Sequence, residues 1–456
     1  MLRRGRPTHT RGHGPPPSRL PCRSCRARCA HRRCPGCLQL QRRERHGDPH
    51  HPRPEFHRDR HDPFRRCNHD LAIDNDDIDN DDIDIDIDID LDIDLERPTT
   101  TTSNTDPALV DALQAVLDAA ATSLPSPDAT VQAAVVGPVA GIEWASTSGS
   151  DPEANRPFRM ASVGKTFTAA TVLRLVETRS IALDDPIGAL LLPDTVTLLE
   201  RDGYDLATIT VAHLLQHTGG LYDYAFGDGS PFLQDALADR SRVWTRREQL
   251  ELAVSVGDPL FAPGSGFRYS DTGYALLGEI IEVETRLPYA DAMRDLLGLD
   301  RLGLANIWLE SGQTAPGGLL PISRSFLGSD EISDLDFSLD AFGGGGLAGT
   351  TTDVARFFGA LLGGEVFVEP TTLGRLLSVP DTNRAQEEFG IVLGDGAHGV
   401  YRMDIGGQTC WSHRGFLGTI ALSCPDAGVS LVVTTNTALT DPLPVAADLI
   451  ALVLAA

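Results

Sequence analysis

"FRMASVGKTFTAATVLRLVE", residues 158–177, holds the only lysine of a 456-residue chain and admits two readings. Either Gly164-Lys165-Thr166 closes a phosphate-binding loop, or Ser162-Val163-Gly164-Lys165 is a nucleophile with its base three residues on. A phosphate loop of the strand-to-helix type needs a glycine five residues before its Gly-Lys pair, so that backbone N–H groups can curl round a phosphate. Position 159 is Arg, and the preceding "DPEANRPFRM" is no buried apolar strand. The nucleophile reading survives. With Ser162 at the start of a helix running to about Ser180, Lys165 lies nearly one turn on and on the same face, its amine within reach of the hydroxyl. Phe167, Ala170, Leu173 and Val176 then form an apolar face. The helix N-terminus contributes positive potential and a backbone N–H beside Ser162 that can form half of an oxyanion hole.

Composition sharpens this. Among the 39 Lys and Arg side chains, every one but Lys165 is arginine, so the chain uses Arg wherever a positive charge or surface solvation suffices. An arginine stays charged at any accessible pH, whereas a lysine amine can lose its proton when buried or crowded.

The formal net charge of −25 is unevenly spread. Residues 1–68 are rich in Arg, His, Pro and Cys, residues 73–96 are largely Ile and Asp, and the chain from about 105 onward is mildly acidic. That acidity argues against nucleic acid as partner, because phosphate binding needs clustered positive charge. No run of 18 apolar residues exists, so no stable membrane insertion is expected, and the C-terminal "VAADLIALVLAA" reads as a docking helix. No apolar stretch follows the basic N-terminus, so no secretory signal is visible. Cys22-x2-Cys25 and Cys34-x2-Cys37 have a spacing zinc can use, but the segment lacks apolar periodicity. Residues 1–105 are therefore read as a low-complexity extension, disordered or mispredicted. The "DIDIDIDIDLDIDL" tract is a solvated linker; calcium binding is the alternative, weakened by the lack of glycine turns.

Residues 106–456 read as one folded domain. "PALVDALQAVLDAAATSL" has helical spacing, and "ATVQAAVVGPVAGIEWAS" reads as two strands about a Gly-Pro turn. "TVAHLLQHTGG" is a short helix stopped by Gly219 and Gly220. "DTGYALLGEIIEVETRL" is a longer one capped by Ser270 or Asp271, and "TTDVARFFGALLGG" is capped by Thr351 or Thr352. "GTIALSCPDAGVSLVVTTN" forms two strands, and a helix closes the chain. Strands at both ends with helices between predict an antiparallel sheet built from the two termini, with a mainly helical insertion at roughly 185–340 and a site in the crevice.

Two further stretches supply chemistry. "FRYSDTGYALLGEII" puts Tyr269 in a loop before a helix, where a phenol can shuttle a proton to a leaving group. "CWSHRGFLGT" puts His413 at the head of a strand, where Gly415 leaves room for a ligand backbone and the N–H of Phe416 can complete the oxyanion hole. Each has a plain alternative, packing for the tyrosine and local satisfaction for the histidine.

The order Ser-x-x-Lys (Ser162, Lys165), Tyr-x-Asn (Tyr269 to Asp271) and His-x-Gly (His413 to Gly415) resembles the penicillin-recognising serine hydrolases, the branch with class C β-lactamases, D-alanyl-D-alanine carboxypeptidases and related esterases. The resemblance covers roughly residues 107–456 and extends to "ITVAHLLQHTGGLYDY", "APGSGFRYSDTGYALLGEIIE" and "GGGGLAGTTTDVARFFGALL". It implies an α/β (α+β) fold: an antiparallel sheet flanked by helices plus a mainly helical domain, β-lactamase/transpeptidase-like. It implies Ser162 as acylated nucleophile, Lys165 as proton acceptor, Tyr269 as second acid/base and His413 lining the site. It implies no metal or organic cofactor, a small-molecule or short-peptide substrate (an ester or D-amino-acid peptide, with β-lactams as slow or suicide substrates), and an extracytoplasmic setting. Oligomeric state is left open. A non-catalytic β-lactam or peptidoglycan-fragment receptor of the same fold is the alternative. His217 is expected to hold a turn, and Phe342 to Leu347 to form a flexible turn near the cleft.

Two positions depart from the pattern. Asp271 replaces Asn, and a carboxylate near Lys165 raises the pKa of the amine, which favours Tyr269 as base with its phenolate stabilised by Lys165. Arg414 stands where the carboxypeptidases and lactamases keep Thr, so it either binds a substrate carboxylate bidentately or points to solvent. Cys410 and Cys424 bracket the His413 strand, too far apart along it to bond unless the chain doubles back, and are expected to be free buried thiols.

Overall fold

A computed structural model describes residues 105–456 apart from 139, 140, 152 and 389; the readings made for residues 1–104 lie outside the described residues. Eight strands, β1 (Thr130–Gly137), β2 (Ile142–Gly149), β3 (Gln386–Glu388), β4 (Ile391–Gly396), β5 (Tyr401–Ile405), β6 (Gln408–Gly415), β7 (Thr419–Cys424) and β8 (Val429–Thr434), form one antiparallel sheet in the order β2-β1-β8-β7-β6-β5-β4-β3. The N-terminal hairpin joins the C-terminal meander through β1 and β8, with Gln132 opposite Thr434 and Val136 opposite Ser430.

Both faces of the central strands are apolar, and the period of two divides them. Val131, Ala133, Val135, Ile420, Leu422, Leu431 and Val433 pack under helices α1 (Pro107–Ala121) and α5 (Leu443–Ala455), around Leu113, Leu117, Leu449 and Ile450. Ala134, Val136, Ala421 and Val432 face the opposite layer, which holds α2 (Gly164–Glu177), α3 (Asp271–Thr285) and α4 (Thr351–Leu362). There the Phe167 and Phe357 rings stack with centroids 3.8 Å apart.

Helix α2 differs from the expected one-faced helix. A 3-10 turn, Ala161–Val163, carries Ser162, and from Gly164 to Leu173 every residue of α2 is buried. Between the sheet and the helical layer no side of it meets water, which explains its small and apolar composition. Local details shift for physical reasons too. The Val211–Leu215 helix ends before its glycines, because His217 takes the left-handed conformation (φ 57°). Thr350, one residue earlier than expected, caps α4 by accepting from the Asp353 N–H. His413 lies near the end of β6 rather than at its head.

The cysteine expectation is overturned: Cys410 and Cys424 form a disulfide. The chain does double back, because β6 and β7 form a hairpin whose register sets Trp411 opposite Ser423, which brings the next pair's Cα atoms to 4.1 Å. The crosslink closes a loop of sequence separation 14, for which chain entropy predicts about 3 kcal/mol. Replacing Cys424 by Ser should therefore lower the unfolding free energy by about 3 kcal/mol in denaturant titrations, and reductant should cost the wild type a similar amount while leaving the variant unchanged.

Candidate active site

The strand before Ser162, Phe158–Arg159, pairs antiparallel with Leu347–Gly349, which in turn pairs with Ile307–Leu309. Arg159 fixes this small sheet through a fork to Glu310, Nε to Oε2 at 2.8 Å and Nη2 to Oε1 at 2.7 Å. The pairing brings the glycine run 343–346 against the turn that bears Ser162. Ala161, just before the serine, has φ 46°, a left-handed conformation that costs an alanine free energy and is seen where a site is held under constraint. The absent side chain of Gly415 makes room here: a Cβ would stand 2.4 Å from the Met160 carbonyl oxygen. The glycine thus admits the Ser162 turn on one side, and it is also among the residues that line the cleft.

Lys165 is fully buried behind Ser162. Its amine donates to Ser162 Oγ at 3.1 Å, to the Gly344 carbonyl at 2.6 Å and to Asp271 Oδ1. An ammonium has three protons, and three acceptors surround it. Burial works against the charge, but the carboxylates of Asp271 and then Asp340 outweigh it, so the amine titrates above its ordinary range. Asp271 opens α3, and its N–H donates to Asp223 Oδ1 at 3.1 Å.

Asp223 and Asp340 complete an acidic shell that the sequence reading missed. Burial, and then the charge of Asp271, push Asp223 up to about 7. Burial likewise dominates at Asp340, which is also raised to about 7 although Lys165 pulls it down. The glycine run shows why these groups fit. A Cβ on Gly345 would stand 1.9 Å from Asp340 Oδ2 and 2.6 Å from the Ala161 oxygen; one on Gly344 would stand 2.9 Å from Asp340 Oδ1 and 3.6 Å from Lys165 Nζ. The run expected as a flexible turn is buried from Gly343 onward and cradles the ion cluster. Four glycines directly after "SLDAF" were the available signal.

An open cleft exposes the rest. Ser162, Tyr269, His413, Arg414, Gly415 and Phe416 line it together. The Tyr269 ring stacks on His217 with centroids 4.4 Å apart, and Lys165 Nζ lies 5.1 Å from its centroid. His217 accepts the Ser270 N–H on Nδ1 at 3.1 Å, so it braces the tyrosine segment by bond and by stacking. His413 Nδ1 lies 2.8 Å from the Arg414 carbonyl oxygen, an acceptor; the neutral ring therefore carries its proton there and keeps a lone pair on Nε2. Burial, reinforced by Lys165, pushes His413 down to about 3. Arg414 does not point to solvent: it is 8% exposed, and Nη1 pairs with Asp441 at 2.8 Å. Among the described residues no cluster of His, Cys, Asp and Glu has metal-site geometry, and no helix is long and apolar enough to cross a membrane.

A family model described as Beta-lactamase matches residues 128–455. Penicillin-binding protein 4* of Bacillus subtilis (strain 168) is 28% identical over 219 residues, 45% of this chain and 45% of that protein. Esterase EstB of Burkholderia gladioli is 36% identical over 173 residues, 36% of this chain and 43% of that protein. The matched stretches thus span less than half the length of either relative. A D-stereospecific amidohydrolase from Streptomyces sp. superposes with a TM-score of 0.63 at 25% identity, over 75% of this chain and 97% of that one. The D-amino acid amidase from Ochrobactrum anthropi SV3 has the same fold, with a TM-score of 0.63 at 22% identity over 76% and 99% of the two chains.

The buried histidines make stability fall with acid. His413 titrates at about 3 and His398 at about 4 in the folded protein, against about 6.5 when unfolded, so the unfolded chain binds more protons below pH 6.5 and stability drops as pH falls through that window. Each contributes about 2 kcal/mol of loss between pH 7 and 5. Urea unfolding of His413→Asn at the two pH values should show a pH difference smaller than wild type by about that amount.

Proposed function

The chain belongs to the beta-lactamase family, and from that premise we propose that residues 106–456 form a serine hydrolase working through an acyl-enzyme on esters or D-amino-acid amides and peptides. The observation that carries this is the contact between the Lys165 amine and Ser162 Oγ at 3.1 Å, on the wall of a cleft that Tyr269 and His413 share. The esterase, penicillin-binding-protein and D-stereospecific amidohydrolase relatives support the hydrolase class and the range of substrates. The Cys410–Cys424 disulfide supports an oxidising compartment.

In the proposed reaction, Ser162 Oγ forms a bond to the substrate carbonyl carbon while its proton passes to the phenolate of Tyr269, which the nearby Lys165 cation stabilises and which becomes the neutral phenol. The N–H groups of Ser162 and Phe416 hold the developing oxyanion. Collapse breaks the bond to the leaving alcohol or amine, which takes the proton back from Tyr269. Water then adds to the acyl-enzyme by the same route and restores Ser162. Lys165 is assigned to charge stabilisation and not to proton abstraction, because its three protons are all engaged. His413 lines the cleft as a neutral ring, and Arg414, anchored by Asp441, orients the polar end of the substrate.

Ser162→Ala should abolish p-nitrophenyl ester turnover and the mass shift produced by a fluorophosphonate; undiminished labelling of the variant would refute the nucleophile. Asp271→Asn removes a carboxylate that raises the Lys165 pKa, so the ammonium is lost at lower pH. The alkaline limb of kcat should move down by about one unit or more. A downward move of the acid limb instead would make the free amine of Lys165 the base.

A further inference from the structure

A second, more enclosed cavity meets the cleft at Ser162. The Phe226 and Phe416 rings, centroids 5.1 Å apart, line both spaces and form the wall between them. The outer cleft carries Tyr269, His413 and Arg414, whereas the inner cavity is walled by Tyr224, Phe232, Ile332, Leu335 and Phe337. The few polar groups of the inner cavity have partners within the protein. The Tyr224 hydroxyl donates to the Leu339 carbonyl at 3.3 Å, Asp271 holds Lys165, and Asp340 accepts from the Gly346 N–H at 3.3 Å.

We propose that this inner cavity is the acyl-binding site, and that it selects an uncharged apolar acyl group larger than acetyl. The inference rests on the acyl-enzyme reading of Ser162. An acyl group remains attached to the serine for the lifetime of the intermediate, while the alcohol or amine must leave and water must enter. The enclosed space therefore suits the part that stays, and the open cleft, with its hydrogen-bonding groups, suits the part that departs. The wall is apolar apart from Asp271 and Asp340, which are engaged by Lys165 and the Gly346 N–H. A peptide N–H or a charged acyl substituent placed against Phe232, Ile332, Leu335 and Phe337 is therefore desolvated without compensation, which disfavours binding. Each methylene that enters gains roughly fourfold in kcat/KM, the equivalent of its transfer from water.

Two substitutions move the cavity in opposite directions. Ala236, buried on the Phe232–Ala238 helix and lining the cavity, becomes a plug as Ala236→Phe; Phe232→Ala deepens the space. The measured quantity is the ratio of kcat/KM for p-nitrophenyl hexanoate to that for p-nitrophenyl acetate in the full chain. Wild type should prefer hexanoate at least tenfold. Ala236→Phe should lower the ratio tenfold or more, and Phe232→Ala should raise the preference for decanoate over hexanoate several-fold. A general folding defect would depress both variants on all esters without separating them. Ratios unchanged in both variants would overturn the proposal, as would a wild-type preference for a phenylalanine ester with a free ammonium over hexanoate. So would a change in selectivity for alcohol length in place of acyl length. If Ser162→Ala retains turnover, the acyl-enzyme reading itself fails; if turnover requires Ser162 but these ratios do not move, only the acyl-site assignment falls.

Discussion

The Lys165 ammonium is where separate segments of the chain are tied together. Its protons go to Ser162 Oγ in the 3-10 turn, to Asp271 at the start of α3 and to the Gly344 carbonyl in the glycine run. A charge buried this completely is tolerated only with such partners, since several kcal/mol of hydration is lost. The requirement propagates outward. Gly344 can bring its carbonyl in because Gly344 and Gly345 lack side chains, and the run is held there by the pairing of Leu347–Gly349 with Phe158–Arg159. Gly415 is constrained from the other side, by the Met160 carbonyl.

The second consequence is electrostatic. Lys165 is one cation beside Asp271 and Asp340, and Asp223 adjoins Asp271 in turn; burial first, and the charge of Asp271 besides, raise Asp223 and Asp340 to about 7. The same cation depresses His413 and His217, whose first burden is burial, and keeps both neutral. The site therefore combines a buried positive charge with the buried neutral rings of His217 and His413. Against the cost of its burial, the Asp271 carboxylate is the leading influence that raises the Lys165 amine.

Much of the architecture was legible because it rests on local periodicity. The β1–β2 hairpin, the β7–β8 hairpin, α1, α3, α4 and the closing helix each follow from residues adjacent in the chain. The β3–β4 hairpin and β5 were not read, because "QEEFGIVLGDGAHGVYRMDI" mixes glycine, charge and short apolar runs with no clean alternation. Asp223 and Asp340 escaped for a different reason: nothing in "LYDYAF" or "FSLDAF" distinguishes a buried carboxylate from a solvated one until Asp271 and Lys165 are brought beside them by the fold.

The sequence by itself determined the motif Ser162-x-x-Lys165, the solitary status of that lysine, and the arrangement of terminal strands about central helices, since these depend on spacing along one segment. Tertiary structure decided everything that depends on two distant segments meeting. It turned Cys410 and Cys424 into a crosslink by setting them opposite each other in a hairpin. It turned Arg414 inward to Asp441, filled the space beside Gly415 with backbone, and set one amine among a hydroxyl, a backbone carbonyl and the Asp271 carboxylate. Proximity in space sets charge and bonding state, and a linear pattern carries that information only where the partners are also neighbours in the chain.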